Sequence, residues 1–315
     1  MAKLEHLLVE PINGLCNRIR VLASAKRFSL RTNVPCTILW DWPDYAAIFA
    51  PDPLMEIAPH AAVPQHYLRM MAAPANQGMR HLRIPLDGPS RIAITTCHSF
   101  GTMADTHYFG MKELLAWLPQ PSARVKEAAQ SFRAAKFPPA AIVGMHIRRT
   151  DNDVSILESP SWKFFHQARA LAASGVIIYL ATDNRRTEKQ MQRQLGSSVL
   201  IYSKNPTIAE RWPREADLEE IIADYADLLL LASCDFVLGS SDSTFSSLAM
   251  ALNGSPRCSM IEHLPVGTIS SDDRVLARRD ALDRTFVHLR RLRRALQPGI
   301  GLGRALRKLG VRVRP

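Results

Sequence analysis

Short continuous apolar runs alternate with helix-spaced apolar positions through the second half of the chain. The runs predict buried strands at 140–147, 176–181, 199–202, 236–239 and 257–261, and the spaced positions predict helices at 162–173, 187–195, 216–232 and 245–252. Continuous apolar strands separated by helices are typical of a parallel sheet covered on both faces. The pattern therefore predicts the α/β class for this half.

The first half shows the same alternation less regularly. Strands are predicted at 4–10, 36–42 and 91–97, and helices at 15–31, 111–117 and 121–136. Consecutive prolines after Phe137 indicate a linker, because they stop a helix and hold the chain extended. Since domains usually have roughly 100–200 residues, the 315 residues predict an N-terminal α/β domain at 1–137, a Rossmann-like domain at 138–277 and a tail at 278–315.

The net charge of +11 is concentrated at the end of the chain. Residues 278–315 hold 12 basic and two acidic residues, whereas the remaining 277 residues hold 28 basic and 27 acidic ones. No recognised nucleic-acid-binding motif and no interleaving of aromatic with basic residues accompanies this charge. We therefore expect no nucleic-acid partner.

Within the tail, apolar residues recur at steps of three and four among arginines, at Leu282, Phe286, Leu289, Leu292 and Leu296. This spacing predicts a basic amphipathic helix. Two interpretations stay open. Either the helix lies on an anionic membrane surface or near an anionic acceptor, or its apolar stripe packs on the body of the protein while the arginines face water.

No apolar run approaches the ~20 residues that a bilayer span needs, and the first residues do not resemble a signal peptide. The five cysteines are scattered, which argues against a disulfide framework and a structural zinc site. We expect a cytoplasmic protein, peripheral at the inner face of the membrane if the tail binds lipid.

Polar residues follow the predicted strands where each strand ends, at 13–18, 146–152, 181–184 and 239–247. These segments supply arginines, hydroxyl groups and a helix N-terminus, which together suit a ligand with several phosphate oxygens. Because ligands bind beyond the carboxyl ends of parallel strands, we expect the segments to converge on one anionic ligand.

Each polar residue also has an ordinary alternative. Arg148 and Arg149 offer planar guanidinium groups to a phosphate, and strand alternation sends them to opposite faces, but the two could also form a surface ion-pair cluster. Ser243 at a helix start, Asn17 and Asp183 could each be a plain helix N-cap. Their shared position at strand ends favours the ligand-binding interpretation.

Four motifs stand in order along residues 10–252. They are Gly14-Leu15-Cys16-Asn17-Arg18, His146-Ile147-Arg148-Arg149-Thr150-Asp151, Ala181-Thr182-Asp183, and Asp227 through Ser243-Thr244-Phe245-Ser246. This series resembles the motifs of the GDP-fucose-dependent fucosyltransferase superfamily, which includes nodulation-type α-1,6-fucosyltransferases and protein O-fucosyltransferases. The resemblance implies a GT-B-like α/β fold, with two Rossmann-like domains that face a central cleft.

The same resemblance implies a role for each matched residue. Arg148 would bind the β-phosphate beside His146, Asp227 would accept N–H bonds from guanine, and the segment 243–246 would hold the pyrophosphate. The implied donor-binding set is Gly14, Asn17, Arg18, His146, Arg148, Asp151, Asp183, Asp227, Ser243, Thr244, Phe245 and Ser246.

The implied reaction is an inverting transfer of fucose from GDP-fucose to a glycan hydroxyl. Arg148 would stabilise the negative charge that develops on the departing β-phosphate. Inversion also needs a carboxylate that takes the acceptor proton. Glu158 is the preferred candidate for this base, and Asp151, Asp153 and Glu10 are the alternatives.

Three positions depart from the family pattern: Cys16 replaces a common glycine, Asn152 stands where the α-1,6 enzymes carry a lysine, and Ile156 falls where a catalytic glutamate would align. The linkage formed is therefore not transferable.

The segment 151–153 has the D-x-D form that metal-dependent glycosyltransferases use, but the neighbouring arginines already supply positive charge. We therefore expect no metal and no cofactor beside the donor substrate. A non-catalytic nucleotide-sugar-binding protein and a transferase for another GDP-sugar remain as alternatives.

Overall fold

The computed structural model describes residues 3–71, 82–105, 110–150, 152–202, 217–265 and 270–295. Within these residues the strands are β1 (His6–Pro11), β2 (Cys36–Trp40), β3 (Glu56–Pro59), β4 (Leu68–Met71), β5 (Leu82–Ile84), β6 (Arg91–Thr96), β7 (Phe100–Thr102), β8 (Ile142–Ile147), β9 (Ile177–Thr182), β10 (Val199–Leu200), β11 (Phe236–Gly239) and β12 (Ser259–Met260). The α-helices are α1 (Leu15–Thr32), α2 (Tyr45–Ile48), α3 (Met111–Leu114), α4 (Ala123–Lys136), α5 (Asp153–Glu158), α6 (Ser161–Ala173), α7 (Arg185–Leu195), α8 (Leu218–Ala232), α9 (Thr244–Asn253) and α10 (Ser271–Ala295).

The described strands form two larger parallel sheets, one in each half of the chain. The first has the order β3-β2-β1-β6-β4 and the second the order β10-β9-β8-β11-β12. In each sheet the chain begins in the middle, moves to one edge and then returns to the other side of the first strand. The strand order therefore reverses beside β1 and beside β8, where open α/β sheets bind ligands. The predicted α/β class is confirmed.

Two glycines let helices approach the second sheet closely. A Cβ atom on Gly144 of β8 would lie 2.7 Å from Cδ1 of Leu231, so glycine allows α8 to lie directly on the sheet. A Cβ atom on Gly239 would lie 2.7 Å from the Cβ of Ser246. Glycine at the end of β11 therefore allows the first turn of α9 to fold back onto the strand.

The two halves of the chain share one hydrophobic core. Residues of β1 and α1 belong to the same buried cluster as residues of α8 and α9. Tyr225 of α8 packs its ring 5.7 Å from that of Phe49 and donates a hydrogen bond to the carbonyl of Pro119. Helix α4, which precedes the predicted linker, packs against α8 of the second half, and its Phe132 lies edge-on to Tyr179 of β9.

Helix α10 begins at Ser271, before the predicted start of the tail, and packs against α5 and α6. Its buried residues are spaced by three, four and seven, at Asp273, Leu276, Asp280 and Val287. Leu282, the first residue of the predicted apolar stripe, is 62% exposed instead. Residues 296–315 of the tail lie outside the described part of the chain.

Charged contacts hold the beginning of α10 on α6. The carboxylate of Asp273 is paired with Arg169 and lies 3.0 Å from Nδ1 of His166, and it accepts hydrogen bonds from the backbone and side chain of Ser270. Burial alone would raise the pKa of Asp273, but these hydrogen bonds and the charge of Arg169 lower it to about 2. A buried carboxylate thus anchors the beginning of this helix.

Among the described residues, none of the helices combines the length and the apolar composition that crossing a bilayer would require.

Candidate functional site

The end of β8 is held by one carboxylate from the end of β9. Asp183 accepts hydrogen bonds from the backbone N–H groups of Arg149 and Thr150 and from the Thr150 hydroxyl, at 2.8, 3.3 and 2.5 Å. Oδ2, which accepts both bonds from Thr150, also lies 3.0 Å from Nε of Arg148, whose side chain is 30% exposed. The helix N-cap at this point is the neighbouring Asn184. Asp183 therefore orders the strand end and aligns the Arg148 guanidinium.

The adjacent arginine turns away from Arg148, as strand alternation predicts. Nε of Arg149 donates to Oγ of Ser161 at 2.6 Å, and its terminal nitrogens donate to the carbonyls of Arg148 and Ser159. Burial lowers the pKa of Arg149, and the nearby carboxylates, Asp280 first, oppose that effect. Arg149 thus stabilises the connection between β8 and α6 through these hydrogen bonds. Of the two arginines, Arg148 is the one whose guanidinium faces the strand ends.

The turn between β11 and α9 is bonded directly to the end of β8. The Ser240 hydroxyl donates to the carbonyl of His146 and accepts from the N–H of Arg148, both at 3.0 Å. Oγ of Ser246 accepts the N–H of Ser240 at 2.9 Å and lies 2.7 Å from Nδ1 of His146. The His146 ring stacks on Phe245 with 4.7 Å between centroids. The predicted convergence of these two strand ends is therefore observed.

The start of α9 lies at this junction. Ser243 is the N-cap, and its Oγ lies 3.5 Å from the N–H of Ser246. Thr244, the first helical residue, is half-buried. A helix of this length carries partial positive charge at its N-terminus, where unpaired N–H groups can bind an anion. The site thus combines a guanidinium, hydroxyl groups and a helix N-terminus.

Helix α5 connects the segment after β8 to the same turn. Asn152 caps α5 through its side-chain oxygen and donates from its amide nitrogen to the carbonyl of Asp242 at 2.9 Å. The N–H of Ser241 donates to Oγ of Ser159 at 2.7 Å. The lysine of the α-1,6 pattern is thus replaced by a residue that caps a helix and braces the turn. Asp151, between β8 and α5, lies outside the described residues.

The candidate bases lie at two different places. Glu158 is exposed at the end of α5, and its Oε2 accepts a hydrogen bond from the Ser241 hydroxyl at 2.9 Å. Asp153 is half-buried in the first turn of α5. Glu10 lies near the end of β1, where it accepts a 2.6 Å hydrogen bond from Thr95 and lies 2.8 Å from Nε2 of His60. Glu158 is thus joined by a hydrogen bond to the β11–α9 turn.

The pairing of Glu10 with His60 was not foreseen from the sequence. The two residues are 50 positions apart and meet only because β1 and β3 lie in one sheet. A lone histidine after a weakly patterned strand gives no sequence signal for such a contact.

The first-sheet motif is shaped by buried arginines. Arg18, 1% exposed, donates to the carbonyl of Asn13 at 2.9 Å, pairs with Asp41 at 2.5 Å and lies over the ring of Trp42. Asn13, rather than Gly14, takes the left-handed conformation of the turn, with φ 69°. Arg18 therefore supports the turn from inside the fold.

The two flanking members of that motif have separate environments. Asn17 is half-buried, and its side-chain oxygen accepts a hydrogen bond from Arg20 at 2.8 Å. Arg20 also donates to the carbonyl of Cys97, just after β6. Cys16, where the motif that it resembles has a glycine, is buried in the first turn of α1. Asn17 and Gly14 thus lie at the point where the strand order of the first sheet reverses.

Asp227 is buried and hydrogen-bonded to β9 in this structure. It is 1% exposed within α8 and accepts a hydrogen bond of 2.6 Å from the hydroxyl of Tyr179. Burial and the carboxylate of Asp227 raise the pKa of Tyr179 well above its ordinary value. A buried carboxylate needs such a hydrogen-bond donor. The position of Asp227 in a helix does not by itself predict which way its side chain points inside the fold.

Among the described residues, no group of three or more histidine, cysteine or acidic side chains is arranged to hold a metal ion.

Comparisons with known proteins link this arrangement to one fold. No protein-family model and no curated sequence matches the chain. NodZ α-1,6-fucosyltransferase soaked with GDP-fucose superposes with a TM-score of 0.51 at 16% identity, over 79% of this chain and 93% of that one. Arabidopsis thaliana FUT1 in complex with GDP gives 0.51 at 14% identity, over 81% and 69%.

A third neighbour, POFUT1 in complex with GDP-fucose, gives a TM-score of 0.50 at 12% identity, over 82% of this chain and 98% of that one. At these identities the likeness establishes the fold. The chain has the GT-B fold of these GDP-fucose fucosyltransferases, and the predicted resemblance is confirmed at that level.

Proposed function

We propose that this protein is a glycosyltransferase that moves fucose from GDP-fucose to a hydroxyl group of a glycan or glycoconjugate. The observation that carries the proposal is the junction of Arg148, the Ser240–Ser246 turn and the N-terminus of α9 at the point where the strand order reverses. The fold neighbours, which were crystallised with GDP or GDP-fucose, support the choice of donor.

In this proposal the junction binds the diphosphate of the donor. Arg148 binds the β-phosphate as a planar donor of two hydrogen bonds, and the hydroxyl and N–H groups of 243–246 bind the remaining oxygens. His146 is fixed by Ser246 and Phe245 and shapes the wall beside the phosphate. Gly14 and Asn17 close over the donor from the first sheet. Asp227 accepts hydrogen bonds from guanine only if its hydrogen bond to Tyr179 is broken.

The transfer inverts the configuration at the anomeric carbon. The acceptor oxygen forms a bond to that carbon as the bond to the β-phosphate oxygen breaks, and GDP leaves with the electron pair. Arg148 and the α9 N-terminus stabilise the developing negative charge without rearrangement. Glu158 takes the acceptor proton as the general base. Because Arg148 and α9 supply the positive charge at the phosphate, the proposed reaction needs no metal ion.

A nucleotide panel tests the choice of donor. GDP and GDP-fucose should raise the melting temperature of the protein, whereas UDP, ADP and their sugars should not. A ligand present at 100 times its Kd stabilises the folded state by about 2.7 kcal/mol, which thermal unfolding resolves easily. Preferential stabilisation by a uridine or adenosine nucleotide would contradict the proposal.

A turnover measurement then separates an enzyme from a binding protein. Release of GDP that depends on an acceptor glycan, and that persists in EDTA, supports metal-independent transfer. Stabilisation by GDP-fucose without any acceptor-dependent release would favour the alternative, a non-catalytic nucleotide-sugar-binding protein. A faster reaction with another GDP-sugar would correct the sugar alone.

The same proposal includes contact with an anionic membrane through α10 and the residues after it. Val275 and Leu282 are 66% and 62% exposed on α10, and residues 278–315 carry 12 basic against two acidic residues. Apolar side chains flanked by arginines suit the boundary between anionic headgroups and acyl chains.

Vesicle flotation tests this contact. The protein should float with phosphatidylserine-containing vesicles at low salt and far less with pure phosphatidylcholine. The Leu282→Asp variant should lose most of the binding, while Leu30→Asp, at a 46% exposed position of α1, should keep it. Equal binding by both variants would remove α10 from the membrane contact.

A further inference from the structure

Arg149 joins three segments around the proposed phosphate site. Its side chain donates to Oγ of Ser161 and to the carbonyls of Ser159 and Arg148. One of these acceptors is the carbonyl of Arg148 itself, at 2.9 Å. Arg149 therefore fixes the backbone carbonyl of Arg148, and Asp183 aligns the side chain of Arg148.

The start of α6, which provides Ser161, lacks a cap of its own. Its N-cap residue is Pro160, which makes no side-chain capping bond. The N–H of Trp162 instead donates to Oδ2 of Asp280 at 2.9 Å, from a residue 118 positions later in α10. The C-terminal helix thus performs for α6 what an adjacent serine or aspartate normally performs.

The same aspartate faces Arg149 across a small cavity. A partly open cavity of about 160 Å³ lies between α10 and the end of β8, and its lining includes Arg149, Ser161, Asp280 and Asp283. Asp280 is the carboxylate that most strongly favours the charged form of Arg149, followed by Asp183 and Asp283. Asp280 is 7% exposed, so water screens this interaction weakly.

We propose that Asp280 is a positioning residue of the donor site, which fixes Arg148 through Ser161 and Arg149. This inference rests on the proposed function, because it gives Arg148 the β-phosphate as its ligand. If Asp280 has this role, α10 is required for full affinity at the donor site. The buried carboxylate of Asp273 and the buried side chains of Leu276 and Val287 hold the helix where Asp280 can act.

The test compares the affinities for GDP and GMP of purified full-length variants. GMP lacks the β-phosphate, so a defect confined to Arg148 weakens GDP and spares GMP. We expect Asp280→Ala to weaken GDP binding about tenfold, in the range of coupling between contacting residues, with GMP binding unchanged. Asp280→Asn keeps an oxygen for Trp162 and loses the charge, so it should show a smaller loss. Asp272→Ala, at an exposed position of α10, is the matched control.

A double substitution tests whether Asp280 acts on Arg148 through Arg149. In an Arg149→Ala background, Asp280→Ala should add no further loss of GDP affinity, because the connection is already broken. The inference would be overturned if Asp280→Ala lost equal affinity for GDP and GMP, or if it bound GDP as tightly as the wild type while folded. It would also be overturned if the losses of GDP affinity added in the double variant. If Asp280→Ala does not fold, Asp280→Asn gives the same comparison. Failure of the wild-type protein to bind GDP would instead reject the proposed function, and this inference with it.

Discussion

Replacing Arg148 by alanine is expected to abolish fucosyl transfer while the protein stays folded. The guanidinium lies at the end of β8 with its side chain 30% exposed, and it is aligned by Asp183 at 3.0 Å. Removing a pre-aligned donor from a developing charge typically lowers kcat by about 10²–10³. The loss should be larger here, because in the proposed mechanism Arg148 binds the leaving β-phosphate. Acceptor-dependent release of GDP from GDP-fucose measures the effect.

The fold should survive the Arg148→Ala change, because Asp183 keeps its hydrogen bonds to the backbone of Arg149 and to Thr150. Arg148→Lys should restore little activity, since an ammonium group cannot reproduce two parallel hydrogen bonds to phosphate. Arg185→Ala, at an exposed position of α7, controls for a general loss of positive charge. Turnover near the wild-type rate in Arg148→Ala would contradict the role assigned to this residue.

The strand ends could be predicted because their position follows from topology. Parallel strands separated by helices place every carboxyl end at one edge of the sheet, whatever the details of packing. The pattern therefore located Arg148, Asp183 and the turn before α9 together. Strand alternation also separated the two arginines correctly, with Arg149 turned inward to Ser159 and Ser161.

Other features depend on tertiary contacts that no local pattern carries. Strands β3, β5 and β7 have three or four residues, too few to show a period, and α5 depends on the cap from Asn152. The direction of Asp227 is set by the Tyr179 hydroxyl on a neighbouring strand. The leucine spacing of the tail could not reveal the buried Asp273 and Asp280 of α10, because aspartates carry no apolar signal in the sequence.

Two of the candidates for the general base, Glu158 and Glu10, lie in different halves of the chain. Glu158 lies on the second-sheet side and is hydrogen-bonded to Ser241 of the turn that follows β11. Glu10 lies on the first-sheet side, and both of its oxygens have partners, in Thr95 and His60. A base must be able to approach the acceptor hydroxyl. The exposed position of Glu158 favours it, because an exposed carboxylate can approach the acceptor hydroxyl without first leaving a buried site.

Glu158→Gln should therefore lower kcat by about 10²–10⁴, the usual range for loss of a general base, with little change in the affinity for GDP. The amide keeps an oxygen for the Ser241 hydroxyl, so the turn before α9 should remain in place. Glu10→Gln is the matched variant, because it makes the same chemical change on the other side of the site. If Glu10→Gln lost kcat and Glu158→Gln kept it, the base would lie on β1, oriented by His60, and the proton would leave toward the first sheet.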